Sequence, residues 1–106
     1  MLLITKEIEK KLNKFPLYSQ EGKGEDAEVI CKFFTPDSSF TWLVLEGSKD
    51  GDDWDFFGLV DGLSGWEYGY FTLNQLKGIR GPYGLPIERD MYLDKHSTVA
   101  DIVGSF

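Results

Sequence analysis

Acidic side chains gather in one short stretch of the chain, at Asp50, Asp52, Asp53 and Asp55. Carboxylate oxygens suit Ca²⁺, and an EF-hand loop places oxygen ligands at its first, third and fifth positions, with Gly at the sixth. Counting from Asp50 puts Trp54 at the fifth position and Asp55 at the sixth, so the calcium pattern fails. The stretch instead predicts a solvated hairpin tip whose charges discourage edge pairing, and we expect no metal site.

Nucleophilic catalysis would depend on Cys31 or His96, because the sequence contains one cysteine and one histidine. Cys31 lies among large apolar residues, where a thiol behaves as a small, inert hydrophobic side chain. His96 lies in a polar tail, which is a poor place for the third group that normally orients a catalytic histidine. The sequence therefore predicts no catalytic residue and no cofactor, and an enzyme is the least favoured class of protein. An enzyme would need a concave pocket lined by Glu67, Arg80 and Arg89.

Glu67 is the carboxylate that we expect to face inward, because its face of a predicted strand also carries Gly69 and Phe71. A buried carboxylate needs a partner, and the sequence contains two arginines, Arg80 and Arg89. A structural ion pair between Glu67 and one of these arginines is the simplest prediction. The alternative is a pocket for a small anion or carboxylate that is built on the two arginines.

Aromatic side chains are concentrated in residues 29–73, where their simplest role is core packing. A sheet has two faces, however, and two short helices can cover only one of them well. Some rings are therefore expected to be exposed, and an exposed aromatic patch marks a binding surface for a peptide or a single-stranded nucleic acid. The aromatic residues considered for such a surface are Trp42, Trp54, Trp66, Tyr68 and Tyr70. The predicted binding residues are Trp42, Trp54, Glu67, Arg80 and Arg89.

The charge of the chain is acidic and unevenly distributed. The net charge is −7, and residues 46–67 carry seven acidic residues against one lysine, a net −6. This balance disfavours binding to nucleic acid and to anionic membranes. The first fourteen residues are weakly basic, which leaves open a nucleic-acid interface with strong salt dependence. That interface would use Lys6, Lys10, Lys11 and Lys14.

An α+β fold in a single domain, residues 1–106, is predicted to position these side chains. Ile8 and Leu12 lie four residues apart and predict a helix over about 5–14, which Thr5 caps and Pro16 ends. Four β-prone runs separated by turn residues predict an antiparallel meander of four or five strands over about 27–72. A short helix over 73–79 follows the fourth strand and lies with the first helix on one face of the sheet.

The remainder of the chain, residues 80–106, predicts an irregular segment that returns along the sheet edge. Within it we expect a short edge strand in 87–93 and one helical turn capped by Ser97 or Thr98. Gly58 and Gly69 lie inside predicted strands, and each indicates a bulge or a neighbour packed against bare backbone. The sequence contains no secretory signal and no apolar run long enough to span a membrane, so the expected location is the cytoplasm.

Four sequence blocks, in order, carry a resemblance to a known family: KFFTPDSSFTW, FFGLVDG, EYGYF and GLPIERD. The chain resembles the bacterial domain-of-unknown-function family DUF2958 over Leu12 to about Leu93. The resemblance implies a short cytoplasmic protein of plasmids, phages and other mobile elements. It implies no activity, and it assigns no catalytic residue.

Three functions are compatible with these observations. The first is a non-enzymatic accessory or interaction protein that binds a protein partner through its aromatic and acidic surface. The alternative is an acidic mimic of nucleic acid that inhibits a host defence nuclease. The third is direct nucleic-acid binding through the lysine-rich first helix.

Overall fold

The computed structural model describes residues 1–62 and 64–104. The chain forms α1 (Lys6–Leu12), a 3₁₀ turn (Gly24–Asp26), β1 (Cys31–Phe34), β2 (Thr41–Asp50), β3 (Asp53–Asp61) and β4 (Trp66–Thr72). It continues with α2 (Leu73–Gly78), β5 (Glu88–Arg89) and α3 (Val99–Val103). The five strands are antiparallel and form one sheet in the order β4-β3-β2-β1-β5. The predicted α+β class and antiparallel meander are confirmed.

Local signals in the sequence set the helix boundaries. The Thr5 hydroxyl accepts a hydrogen bond from the backbone N–H of Ile8 at 3.2 Å and caps α1. Thr72 and Gln75 form a capping box at the start of α2. A second capping box, between Thr98 and Asp101, begins α3. The short C-terminal helix is therefore capped by Thr98, one of the two residues predicted for that role.

The first face of the sheet is covered by α1 and α2. Leu12 of α1 and Leu76 of α2 are buried in the same apolar cluster as Phe33, Trp42 and Phe56 of the strands. Each helix is amphipathic because it buries one stripe of apolar residues in this cluster. The two helices lie on one face, as expected.

The second face is covered less completely. Leu43, Leu45 and Leu59 are buried there, and Val99 of α3 packs against them. α3 packs mainly against the 3₁₀ turn, and on β4 the side chains of Tyr68 and Tyr70 are exposed. Within the described residues, the chain forms no helix long and apolar enough to cross a membrane.

Candidate functional site

The open part of the second face carries four aromatic rings, which we call the tyrosine face: Tyr18, Phe57, Tyr68 and Tyr70. Tyr18 is 66% exposed, Tyr68 50% and Tyr70 62%. Phe57 lies directly opposite Tyr70 across the β3–β4 ladder. Its ring stacks on Tyr68 with centroids 5.8 Å apart and tilts against Tyr70 at 4.9 Å. These contacts fix exposed rings in place, and each such pair contributes about 0.5–1.5 kcal/mol beyond area burial.

Tyr18 reaches this face from the loop that follows α1, and its backbone is strained. Its φ is +75°, a left-handed conformation that residues other than Gly rarely adopt. A strained backbone persists only where surrounding contacts hold it, and such residues cluster at functional sites. Contacts between this loop and the rest of the fold must therefore hold the backbone of Tyr18 in its left-handed conformation.

Glu46 of β2 holds the loop. It is 3% exposed, and its two carboxylate oxygens accept hydrogen bonds from the backbone N–H groups of Tyr18 at 2.7 Å and Gln20 at 2.8 Å. Glu46 also lies opposite Phe57 in the β2–β3 register. A single buried carboxylate thus joins the strained loop to the sheet beneath the aromatic rings.

Gln20 completes the buried network. Its side-chain amide donates to the carbonyl oxygens of Glu28 at 2.8 Å and Leu45 at 2.7 Å. Its amide oxygen accepts from the Glu28 backbone N–H at 2.7 Å. Next to it, the Ser48 hydroxyl oxygen accepts from the Leu17 N–H at 3.1 Å. All these polar groups are satisfied within the protein, which rigidifies the support of the tyrosine face.

The electrostatic environment of the tyrosine face is negative. Partial desolvation, a side-chain hydrogen bond with Tyr18 and the nearby charges of Glu46 and Glu21 raise the pKa of Tyr70 above its ordinary value of 10.0. Strand alternation places Asp55 and Asp61 on the same side of β3 as Phe57, two residues before and four residues after it. The rings therefore lie among carboxylates.

The backbone next to these rings is open as well. β4 is the terminal strand of the sheet and pairs with β3 along one side, in an unbroken register from Asp55–Thr72 to Asp61–Trp66. A terminal strand presents N–H and C=O groups on its other side, which form a template for another strand. The tyrosine face thus adjoins a seven-residue edge.

Two of the predicted binding residues lie in the core instead. Trp42 is 7% exposed and stacks on Phe40 with centroids 6.0 Å apart. Trp54 is 4% exposed and stacks on Phe56 at 6.3 Å. Both rings belong to the cluster on the first face, away from the tyrosine face. Their proposed contact with a partner stays a prediction, whereas their packing role is visible.

The predicted burial of Glu67 is wrong, because its side chain is exposed. The residue does lie on the same side of β4 as the buried Phe71, but opposite Val60 and beside the turn that precedes β4. α2 follows β4 directly and packs near the Thr72 end of this strand, so it leaves Glu67 in solvent. Among the described residues, no ion pair joins Glu67 to Arg80 or Arg89. The expected structural pair is therefore absent from this part of the chain.

The two arginines contact different backbone segments. The Arg80 guanidinium donates to the carbonyl oxygens of Lys77 and Ile79, each at 2.8 Å. The Arg89 guanidinium donates to the carbonyl oxygens of Leu2 and Leu3 near the N-terminus. Each guanidinium group is hydrogen-bonded to the backbone of a different segment. These contacts give no support for an anion pocket that the two arginines share.

A groove of about 790 Å³ lies on another part of the surface, between α1 and residues 89–96. Within it, Glu28 accepts a hydrogen bond from Lys11 at 2.9 Å and lies 3.0 Å from the His96 ring nitrogen. Burial opposes ionisation of Glu28, but the hydrogen bonds from Lys11 and His96 outweigh it and lower the pKa of the carboxyl below 4.5. These contacts connect the C-terminal segment to α1.

The remaining candidates for chemistry are the Cys31 thiol and groups of side chains that could bind a metal ion. Burial raises the pKa of the Cys31 thiol to about 12, against the opposing charges of Arg89 and Lys11, so the thiol is not a nucleophile at neutral pH. Across residues 1–62 and 64–104, no three or more His, Cys, Asp or Glu side chains group in a way that could hold a metal ion.

The sequence analysis missed Tyr18, Gln20 and Glu46 as parts of a site. Glu46 had a visible signal, because it directly follows the apolar run Trp42–Leu45 in a predicted strand. Tyr18 had none, because the left-handed backbone of a non-glycine residue is created by tertiary contacts. Tyr68 and Tyr70 were considered as a possible exposed surface, and the structure exposes both.

The fold and the site define a small α+β protein whose terminal strand β4 carries exposed tyrosines on one face of the sheet. A family model described as "Protein of unknown function (DUF2958)" matches residues 3–104, and the chain belongs to this family. Comparison with curated proteins and with solved structures gives no significant match.

Proposed function

We propose that the protein is a non-enzymatic interaction module, and that an extended segment of a protein partner binds to the tyrosine face and the edge of β4. The observation that carries the proposal is the strained backbone of Tyr18, which Glu46 holds in place. The buried Glu46 carboxylate fixes the backbone of a residue whose side chain is 66% exposed. Packing of the core accounts for the Glu46–Gln20 contact but not for the position of the Tyr18 ring, because that ring lies outside the core.

Three further features support a protein partner. Tyrosine supplies a large amphipathic contact area and is enriched at protein interfaces. The rings of Tyr68 and Tyr70 are held by Phe57, so these two side chains lose little freedom on binding. The neighbouring edge strand offers main-chain hydrogen bonds of the kind used in β-strand addition.

The distribution of acidic residues bears on the alternative of a nucleic-acid mimic. Asp50, Asp52 and Asp53 lie at the β2–β3 hairpin, whereas Asp61 lies at the opposite end of β3. Glu46 is buried and engaged with backbone N–H groups. These positions give no two rows of carboxylates at phosphate-like spacing, so the protein-binding proposal is preferred. Its association with mobile elements and a cytoplasmic location belong to the same proposal and rest on the family alone.

Photo-crosslinking in the native host tests the proposal. A photoreactive phenylalanine analogue replaces Tyr70 in one variant and Tyr92 in another. Tyr92 is the matched control, since it is a tyrosine that is 90% exposed in the C-terminal segment. We expect a discrete crosslinked protein from position 70 and none from position 92. Equal crosslinking from both positions, or none from position 70, would contradict the proposal.

A further inference from the structure

We propose that the segment that binds the tyrosine face is cationic, with arginine or lysine at alternate positions of a strand that pairs with β4. This inference rests on the proposed function and adds the chemistry of the partner. It follows from three observations: the position of the carboxylates, the ring faces exposed between them, and the position of β4 at the edge of the sheet.

The carboxylates flank the rings. On the second face, β3 presents Asp55, Phe57, Leu59 and Asp61 in succession, and β4 presents Trp66, Tyr68, Tyr70 and Thr72 beside them. Asp55 and Asp61 are six residues apart, or about 20 Å along the strand. Aromatic rings thus lie between two acidic ends, and Glu21 adds a further negative charge near Tyr70.

Aromatic rings between carboxylates select cations. A guanidinium or ammonium group is attracted to the face of a tyrosine ring, and Arg stacks on such a ring more often than Lys does. The long aliphatic stems of Arg and Lys can lie across β4 while their charged ends reach the carboxylates. An anionic segment would meet the same carboxylates with like charge.

The geometry of a sheet sets the spacing of these cations. A strand that pairs with β4 places alternate side chains on the second face, where the rings lie. The intervening side chains fall on the first face beside Glu67 and Gly69, where a carbon atom added to Gly69 would meet nothing within 4 Å. The expected segment therefore alternates cationic residues with small or uncharged ones.

The same charges argue against a second copy of this chain as the occupant. An edge-to-edge pair through β4 would bring together two copies of the acidic residues nearest that edge, Asp55 and Asp61 of β3 and Glu67 of β4. Like charges that face each other across strands are destabilising. A cationic segment removes this repulsion, whereas self-pairing doubles it.

Binding of synthetic peptides to the full-length protein tests the inference. The probe peptide is about as long as β4 and alternates arginine with threonine. The matched peptide carries citrulline in place of arginine, which keeps the shape and removes the charge. We expect the arginine peptide to bind at least about tenfold more tightly than the citrulline peptide, since several cation–π contacts and ion pairs are lost together. N-methylation of alternate backbone amides is expected to abolish binding, because it blocks strand pairing.

Protein variants locate the binding site. Tyr70→Ala and the double variant Asp55→Asn/Asp61→Asn are expected to weaken the arginine peptide at least about fivefold. Tyr70→Phe keeps the ring and is expected to bind nearly as the wild type does. The controls are Tyr92→Ala, and Asp52→Asn combined with Asp94→Asn, which changes the net charge equally at exposed positions elsewhere.

The binding measurements would overturn the inference if the arginine peptide did not bind, if the citrulline peptide bound equally, or if the control variants weakened binding equally. The last result would show attraction to net charge alone. If crosslinking from position 70 captures a partner whose contact segment is neutral or acidic, the proposed function stands and the cationic inference fails. If crosslinking fails as well, both fail. Sedimentation of the protein alone as a dimer that Tyr70→Ala dissociates would identify a second copy as the occupant and overturn the inference.

Discussion

Glu46 links the stability of the protein to the shape of its exposed face. Removing a carboxylate from water costs several kcal/mol, and each hydrogen bond from a backbone N–H to a charged group contributes about 1.5–3 kcal/mol. The left-handed backbone of Tyr18 costs about 1–3 kcal/mol. These terms nearly offset one another, so the network contributes little net stability. What it does contribute is the fixed position of Tyr18 on the tyrosine face.

Replacement of Glu46 separates this network from the rest of the fold. Glu46→Ala leaves the buried N–H groups of Tyr18 and Gln20 without an acceptor, and we expect it to reduce the free energy of unfolding by about 3 kcal/mol. The measurement is urea denaturation followed by tryptophan fluorescence. Glu67→Ala is the matched control, because it removes an exposed strand glutamate, and it is expected to change stability by less than about 0.5 kcal/mol. Equal losses in the two variants would contradict the role assigned to Glu46.

The pKa of the Tyr70 hydroxyl depends on its hydrogen bond with Tyr18, so titration of Tyr70 tests the position of Tyr18. Partial desolvation, the hydrogen bond with Tyr18 and the charges of Glu46 and Glu21 favour the neutral phenol, so Tyr70 is expected to ionise at higher pH than an ordinary tyrosine. Tyr18→Phe removes the hydrogen bond and should lower the pKa of Tyr70 toward 10.0. Nuclear magnetic resonance of ring-labelled tyrosine measures both values. Tyr83→Phe, at a residue that is 86% exposed, is the control and should leave the titration of Tyr70 unchanged.

At the scale of elements, β3 pairs with a strand on each side, β2 and β4, whereas β4, among the described strands of the sheet, pairs only with β3. The β2–β3 register shifts between Val44 and Glu46, which marks a β-bulge. Gly58 lies opposite this irregularity, and a carbon atom added there would lie 1.8 Å from the carbonyl oxygen of Leu43. The predicted close approach at Gly58 is confirmed. At Gly69 the prediction is wrong, since no atom lies within 4 Å of the added carbon.

These two glycines provide a matched pair of variants. Gly58→Ala forces the backbones of β2 and β3 apart, and we expect it to reduce the free energy of unfolding by at least about 3 kcal/mol. Gly69→Ala adds a methyl group in open space on a strand and should stabilise the protein by up to about 1 kcal/mol. Thermal denaturation of both variants tests this. A similar loss in each would show that the β4 edge is as closely packed as the sheet centre.

For the whole molecule, alternation and turn residues were sufficient to predict an antiparallel meander, because strand period and hairpin chemistry are local. Burial at the ends of strands was not predictable. Glu67 lies on the expected side of β4, but the length and position of the covering helices decide whether that side is buried. Tyr18 was not predictable either, because its conformation depends on Glu46, which is 28 residues away in the chain.

For the whole molecule, the C-terminal segment pairs through its backbone with residues 27–29. The backbone N–H of Val29 donates to Ser97 at 2.8 Å, and the N–H of Val99 donates to Ala27 at 2.9 Å. Between them, Glu28 forms a bridge with Thr98. The Glu28 side chain also contacts Lys11 of α1 and His96 of the C-terminal segment. The charge of Glu28 therefore bears on how the two ends of the chain are held together.

Stability should depend on pH through Glu28. Hydrogen bonds from Lys11 and His96 lower its folded pKa below 4.5, so the ionised carboxylate stabilises the folded state above pH 4.5. That contribution is lost as the pH falls through the folded pKa. We expect Glu28→Gln to unfold at lower urea concentration than the wild type at neutral pH, and the difference to shrink in acid below pH 4.5. Glu67→Gln, which changes an exposed glutamate, is the control. A wild-type advantage over Glu28→Gln that persists unchanged at low pH would show that packing, and not charge, accounts for the contribution of Glu28.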